Sequence, residues 1–217
     1  MAVVARRKAP LEALVHDIAA AGGAALALEG DVNDVATHTR LYDDIERALG
    51  PVDILVNNAG MANDKPAVEV TPEIYDQLMS INMRAAYFLS TELARRLIAA
   101  KRPGNIINIS SVAGSQVQTG LTLYCLSKAA LSMTTRSLAR EWARFDIAVN
   151  ALAPGYIETE MTGPWFKTEG GLKQIKGFPR RRLQPIQSLD GILLLLASRQ
   201  GQGFTGSVVQ VDDGQYI

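Results

Sequence analysis

The sequence predicts an α/β protein built on a doubly wound parallel sheet in three layers, α/β/α. Two observations predict it. Short runs of β-branched and apolar residues alternate with longer segments of helical spacing along the whole chain, the pattern of strands joined by crossover helices. Several runs end on turn residues, as at Asn57-Asn58-Ala59-Gly60 and Ala153-Pro154-Gly155, where open sheets of this class place their ligands. The 217 residues are the size of one large domain. No internal repeat, low-complexity tract or linker interrupts them, so residues 1–217 read as a single domain.

Taken in order, Ala2 to Ala5 opens as a strand. Pro10 suits the first turn of a helix that carries Leu11, Leu14, Val15 and Ile18 at helical spacing and stops at Gly22-Gly23. Ala24 to Leu28 is the next strand, followed by a helix from Ala36 to Leu49 and a strand from Val52 to Val56. After Thr71-Pro72-Glu73, where threonine caps and proline tolerates the first turn, a long helical stretch begins. It breaks near Ser80 to Asn82. Gly104 leads into a strand from Asn105 to Ile109, a helix runs from Tyr124 to Arg144, and a strand from Ile147 to Leu152 ends at Ala153-Pro154-Gly155. The tail supplies a helix from Leu189 to Ala197 and a last strand from Ser207 to Val211.

Composition narrows the function classes. With 22 basic residues against 22 acidic ones, nothing favours nucleic acid or an anionic membrane as partner. The longest strongly apolar run, Ile192 to Ala197, is far short of the roughly 18 residues a spanning helix needs. The opening Met1-Ala-Val-Val-Ala-Arg-Arg lacks the basic, apolar, small order of a signal peptide. A cytoplasmic protein is expected, and the single Cys125 excludes an internal disulfide framework. His16 and His38 fall on separate predicted helices with no Cys or carboxylate at metal spacing. They read as surface histidines, and no metal is expected.

The residues that carry chemistry are Ser111, Tyr124 and Lys128. Tyr124 and Lys128 stand four apart on a predicted helix, which puts phenol and ammonium on one face. A tyrosine near its reference pKa of about 10 is a poor acid-base group at neutral pH, and a neighbouring cation such as Lys128 lowers that value. Ser111 ends a strand thirteen positions before Tyr124, where its hydroxyl can hydrogen-bond a carbonyl oxygen. An ordinary amphipathic helix explains the Tyr–Lys pair taken alone. The surrounding segments do not fit that explanation, because Asn57 to Gly60, Ile106 to Gly114 and Pro154 to Thr159 each follow a predicted strand.

On these motifs, from Ala2 to the final Asp212-Asp213-Gly214, the sequence resembles the short-chain dehydrogenase/reductase family. The resemblance implies a Rossmann-like fold and an NAD(P)-dependent oxidoreductase that interconverts a carbonyl and a secondary alcohol by hydride transfer. Carried over by position, Tyr124 is the general acid in reduction and the general base in oxidation. Lys128 also binds the nicotinamide ribose, Ser111 rather than Ser110 is the catalytic serine, and Asn82 bends its helix and holds a water in a relay toward the lysine. Asp31 and Val32 are implied at the adenine ring, Asn57, Ala59 and Gly60 along the cofactor, and Pro154, Gly155, Ile157 and Thr159 on the nicotinamide side. Taken alone, Asp31 also reads as a helix cap and Asn57-Asn58 as a turn. Arg6 and Arg7 follow the first strand, where an acidic residue would bind the ribose hydroxyls of NAD and a basic one would meet the 2′-phosphate of NADP. NADP is therefore favoured, with NAD the alternative and two solvated arginines the bland explanation. A small-molecule carbonyl or alcohol substrate and a homotetramer are implied, with pocket residues in Gln116 to Thr122 and a lid from Met161 to Arg182 carrying Trp165, Phe166 and Phe178. Sugar-acid dehydrogenases and 3-oxoacyl carrier reductases are equally good templates. Arg180-Arg181-Arg182, beside that lid, reads as a solvated face or an intersubunit contact.

Two departures stand out. The family begins with a strand and a glycine-rich turn, T-G-x-x-x-G-x-G, ahead of the strand that here starts at Ala2, and neither is in this sequence. That turn brings backbone amides to the cofactor's pyrophosphate at a helix N-terminus. The strand is central in the family sheet. Its absence predicts a slot between Ala2–Ala5 and Val52–Val56, about 10 Å across or twice the strand spacing, unless the two close and pair directly. Asp213 also occupies a position where the family usually has glycine. Two functions follow: an oxidoreductase whose chain begins earlier, which intact Ser111, Tyr124, Lys128 and Asn82 favour, or a non-catalytic binding or oligomerisation module that has lost cofactor binding.

Overall fold

The computed structural model describes residues 1–160 and 162–217. Strands and helices alternate among them as β1 Ala2–Ala5, α1 Lys8–Ala20, β2 Leu26–Glu29, α2 His38–Leu49, β3 Ile54–Asn57, α3 Pro72–Met79, α4 Ala85–Ala100, β4 Gly104–Ile109, α5 Thr122–Trp142, β5 Ile147–Pro154, α6 Gly163–Phe166, α7 Glu169–Gly177, α8 Asp190–Ala197 and β6 Val208–Val211. Every strand pairing among them is parallel. The class expected from the alternating pattern is the class observed, with ends moved by a few residues.

Local chemistry accounts for the differences. Val35–Thr37 is a 3-10 turn in which the Thr37 hydroxyl donates to the Asp34 carbonyl, so α2 proper starts at His38. Thr71 caps α3 by accepting from the Ile74 amide. The break at Ser80 is a π-helical turn, Ser80–Arg84, continuous with α3 and α4. The helices α6 and α7 are not expected from the sequence, because glycine is a poor helix former and Gly163, Gly170 and Gly171 obscure their pattern. Gly171 is there because α7 crosses α6 closely: a Cβ on it would lie 2.6 Å from the Phe166 Cα.

The strands form two sheets. β1 pairs with β2, and β3, β4, β5 and β6 lie side by side in that order. No ladder joins β1 to β3 among the described residues, so the two have not closed on each other. Ile54 and Val56 on β3 are 46% and 39% exposed, far more than is usual for a parallel strand, which is ordinarily covered on both faces.

One face of the larger sheet carries the main core. Tyr42 of α2, Leu89, Leu93 and Leu97 of α4, and Leu138 and Trp142 of α5 meet Ile106 of β4 and Ile147 and Val149 of β5. Successive side chains of a strand point to opposite faces. Asn105 therefore faces away from Ile106, and its amide donates to the Ser198 carbonyl just past α8. This puts α8 on the second face and completes three layers. The resulting frame leaves the carboxyl ends of β3, β4 and β5 open at one edge, where the chemistry-bearing residues gather.

Candidate active site

Ser111 follows β4 and takes an extended conformation as its hydroxyl accepts from the Ala113 amide at 3.1 Å. Using an acceptor lone pair there leaves the Ser111 proton free for another oxygen. The adjacent Ser110 is turned the other way: it is buried and bonded to Ser132 Oγ at 2.8 Å and to the Lys128 carbonyl at 3.2 Å. Gly114 lets this loop settle on α5, since a Cβ there would come within 3.0 Å of the Lys128 main chain.

Tyr124 and Lys128 share one face of α5, with the Lys128 ammonium 5.8 Å from the centre of the tyrosine ring. The spacing alone has that cation lowering the phenol. In this structure the balance differs: burial raises the Tyr124 pKa above its ordinary value, while the Ser111 hydroxyl pulls it down. Lys128 is only 4% exposed, and desolvation depresses its amine to about 8. Its proton is held by the Ile109 carbonyl at 2.8 Å rather than by the tyrosine.

Asn82 lies in the π turn, 1% exposed. Its amide donates to the Met61 carbonyl and to Ser127 Oγ, each at 2.9 Å, and its oxygen accepts from the Met61 amide at 2.8 Å. A Cβ on Gly60 would stand 3.4 Å from Asn82 Oδ1 and 3.5 Å from Lys128 Nζ. Asn82, Lys128 and the Ala59–Gly60 segment thus converge. Ser127, which completes the brace, carries no signal in the sequence.

Asn57, at the end of β3, is buried and donates to Asn108 Oδ1 at 2.8 Å and Ser90 Oγ at 3.0 Å. It ties β3 to β4 and α4. Asp31 accepts from the Asn33 amide at 2.9 Å, closing a turn rather than capping a helix as it would on its own be expected to, and remains exposed. Val32 packs against the core while its carbonyl contacts His38 Nε2 at 2.9 Å. This corrects the expectation of a surface histidine: His38 is 3% exposed, because α2 starts at it and turns its ring inward under Val32. His16 is exposed.

At the carboxyl end of the sheet's next strand, Pro154 ends β5 and Gly155 is pressed against the C-terminal segment, where a Cβ would fall 2.8 Å from Asp212 Cβ. Ile157 is buried, and Thr159 pairs with Thr162. Met161, where the expected lid begins, lies outside the described residues. Within the lid, Phe166 and Phe178 are buried and pack on the Tyr156 ring, edge-on at 5.4 Å and stacked at 5.8 Å. Trp165 is half exposed. Arg6 and Arg7 are exposed, and Arg7 bonds Glu160 at 3.2 Å, so it reaches from the end of β1 to the segment leading into the lid.

Known proteins are similar to this chain in sequence and in backbone. A model of the short chain dehydrogenase family matches residues 1–170. The 2-dehydro-3-deoxy-D-gluconate 5-dehydrogenase of Dickeya dadantii is 35% identical over 201 residues, 92% of this chain and 79% of that one. The L-xylulose reductase of Bos taurus is 34% identical over 215 residues, 97% of this chain and 84% of that one. A crystal structure of a gluconate 5-dehydrogenase from Burkholderia cenocepacia in complex with NADP and tartrate superposes with a TM-score of 0.92 at 30% identity, covering 99% of this chain and 84% of that one. Shared sequence over nearly the whole chain and a shared backbone leave one assignment: this chain belongs to the short-chain dehydrogenase family of oxidoreductases.

Proposed function

We propose that this protein is an NADP-dependent oxidoreductase that interconverts a ketone and a secondary alcohol on a small polyhydroxylated substrate. The convergence of Ser111, Tyr124 and buried Lys128 at the carboxyl end of β4 is the observation that carries the reading. The relatives' names support the substrate class, since they include a sugar-acid dehydrogenase and a ketose reductase. The donor set fits a nicotinamide cofactor at its two ends. Lys128 and Tyr124 suit the nicotinamide ribose, with Asn57, Ala59 and Gly60 along it and Pro154, Gly155, Ile157 and Thr159 beyond. Asp31 and Val32 suit adenine, and Arg6 and Arg7 suit a 2′-phosphate.

The bound cofactor supplies or accepts the hydride. In reduction, Ser111 donates a hydrogen bond to the substrate carbonyl oxygen, and Tyr124 Oη gives that oxygen its proton as negative charge develops. In oxidation the same phenol oxygen takes the proton back. Lys128 keeps positive charge beside the phenol. Asn82 holds the Met61 main chain, and with it the Ala59–Gly60 wall, against α5. Titration of the full-length protein with NADPH, followed by turnover on ketoses, keto-sugar acids and β-keto thioesters, tests the reading. Turnover on the first two classes is expected, and failure to bind NADPH or NADH would overturn it.

Further parts of the reading concern assembly and setting. Residues 1–217 act as one domain, and the protein works as a homotetramer, supported by the exposed Tyr87, Phe88, Leu126 and Met133 on α4 and α5 and Leu194 on α8. Sedimentation at micromolar concentration decides it. No helix among the described residues is long and apolar enough to cross a membrane, and residence in the cytoplasm is proposed. The open edges of β1 and β3 favour a second reading, a binding or oligomerisation module without catalysis. The cofactor titration separates the two.

A further inference from the structure

We propose that Asp213 is a positioning residue for the substrate lid, acting by clasping Arg180 and Arg182 where the chain leaves it. The inference rests on the oxidoreductase reading for its kinetic consequence, though not for the clasp itself. Asp213 has φ 54°, a left-handed conformation that glycine adopts freely and aspartate adopts only at a steric cost. What the carboxylate does there is specific. Its Oδ2 accepts from Arg182 Nε at 2.7 Å, and its Oδ1 accepts from Arg182 Nη2 at 3.1 Å and Arg180 Nη1 at 2.8 Å. The Asp213 side chain is only 10% exposed, against 63% and 52% for the two arginines. Two guanidinium groups from the lid's exit therefore converge on one sheltered carboxylate of the C-terminal turn, and one of the pairs is bidentate, the arrangement with the strongest geometric preference.

The neighbours of that turn explain why the clasp matters. Gln215 brackets Tyr156, accepting from its amide at 2.7 Å and donating to its carbonyl at 3.1 Å. Gln184, two residues past Arg182, donates its amide to the same carbonyl at 2.9 Å and accepts from the Gly155 amide at 3.2 Å. The Tyr156 hydroxyl donates to Gln118 at 2.7 Å, and Gln118 in turn donates to the Tyr216 hydroxyl. Phe178, two residues before Arg180, stacks on the Tyr156 ring. The C-terminal turn thus grips the lid's exit through Asp213 and the pocket wall through Gln215 and Tyr216. Releasing the clasp loosens the lid against that wall while Ser111, Tyr124 and Lys128 stay in place.

The test uses the full-length enzyme with Asp213→Gly, which relieves the backbone and removes the carboxylate, and the charge swap Asp213→Arg with Arg182→Asp. The glycine variant should raise KM for the carbonyl substrate about tenfold, with kcat within about twofold and NADPH affinity unchanged. Trypsin cleavage after Lys173 and Lys176 of the lid should quicken about fivefold without a fall in global stability, since local opening sets its rate. The charge swap should restore both readouts in part. Cleavage at the wild-type rate in Asp213→Gly overturns the clasp, and faster cleavage with unchanged KM overturns its positioning role. If the wild type reduces no carbonyl, the oxidoreductase reading has failed, and the cleavage rates still decide whether the clasp exists.

Discussion

The side chain of Asn82 binds both main-chain polar groups of Met61, twenty-one residues earlier in the chain, and passes a further hydrogen bond to Ser127. The π turn makes this possible by setting Asn82 inward between two helices. Buried amides left without partners cost about 1–3 kcal/mol each. Asn82→Asp keeps an acceptor for the Met61 amide but cannot donate to the Met61 carbonyl or to Ser127. Urea denaturation should show a loss of about 2–3 kcal/mol, with weaker cofactor binding because the Ala59–Gly60 wall is no longer braced. A loss under about 0.5 kcal/mol would show that the brace is dispensable.

Removing the transferable proton separates chemistry from binding. Tyr124→Phe should lower kcat by about two to four orders of magnitude while cofactor affinity barely moves. Lys128→Ala should weaken both, because in the proposed function the lysine serves the nicotinamide ribose as well as the phenol. A Tyr124→Phe enzyme that turns over near the wild-type rate would move the acid-base role to another group.

How much of the fold and site is legible in the sequence follows from where each signal lives. Ser111, Tyr124 and Lys128 can be found because helical spacing puts the last two on one face and the strand-end motifs around them carry the family resemblance that adds the serine, and the π turn at Ser80–Arg84 is foreshadowed by polar Ser80 and Asn82 inside a helical pattern. His38 cannot, because only the packing of α2 under Val32 decides that its ring is buried. The direction of the Tyr124 pKa change is hidden for a similar reason. Spacing supplies the cation but not the desolvation that raises the phenol, against which the Ser111 hydroxyl pulls. The helices α6 and α7 are masked by glycines whose purpose is the close crossing itself. Asp213 looks like an unexplained departure until Arg180 and Arg182, some thirty positions away, are seen on its carboxylate.

In the proposed function, cofactor preference turns on Arg6 and Arg7. Both are exposed, and the Arg7–Glu160 pair has side chains 70% and 87% exposed, so it is a weak contact that a bound phosphate can displace. Full-length protein should bind NADPH more tightly than NADH, and Arg6→Asp or Arg7→Asp should narrow or invert the ratio. Fluorescence titration with both cofactors measures it. Equal affinities in the wild type would return the two arginines to solvent.

Lys128 should also be visible in the pH dependence of stability. Its folded pKa of about 8 lies below the usual lysine value of about 10.4. The folded state thus binds fewer protons than the unfolded state between those two values. Stability from this group therefore rises with pH through that window, and below pH 8 the buried charge counts fully against folding. The cost there is about 3 kcal/mol, because each tenfold loss of proton affinity on folding is worth roughly 1.4 kcal/mol. Replacing Lys128 with methionine removes the charge and keeps the stem, at the loss of the bond to the Ile109 carbonyl, worth about 1 kcal/mol. Lys128→Met should then be more stable than the wild type by about 2 kcal/mol at pH 7, although inactive. Between pH 8 and 10 the gap should shrink toward zero as the folded wild type sheds its proton. The raised pKa of Tyr156, about 12, affects both proteins alike and cancels in the difference. Denaturation of both proteins at intervals from pH 6 to 10 gives the comparison directly. A gap that stays constant across that range would mean that burial does not depress the Lys128 amine, and that its charge is already compensated in the folded protein.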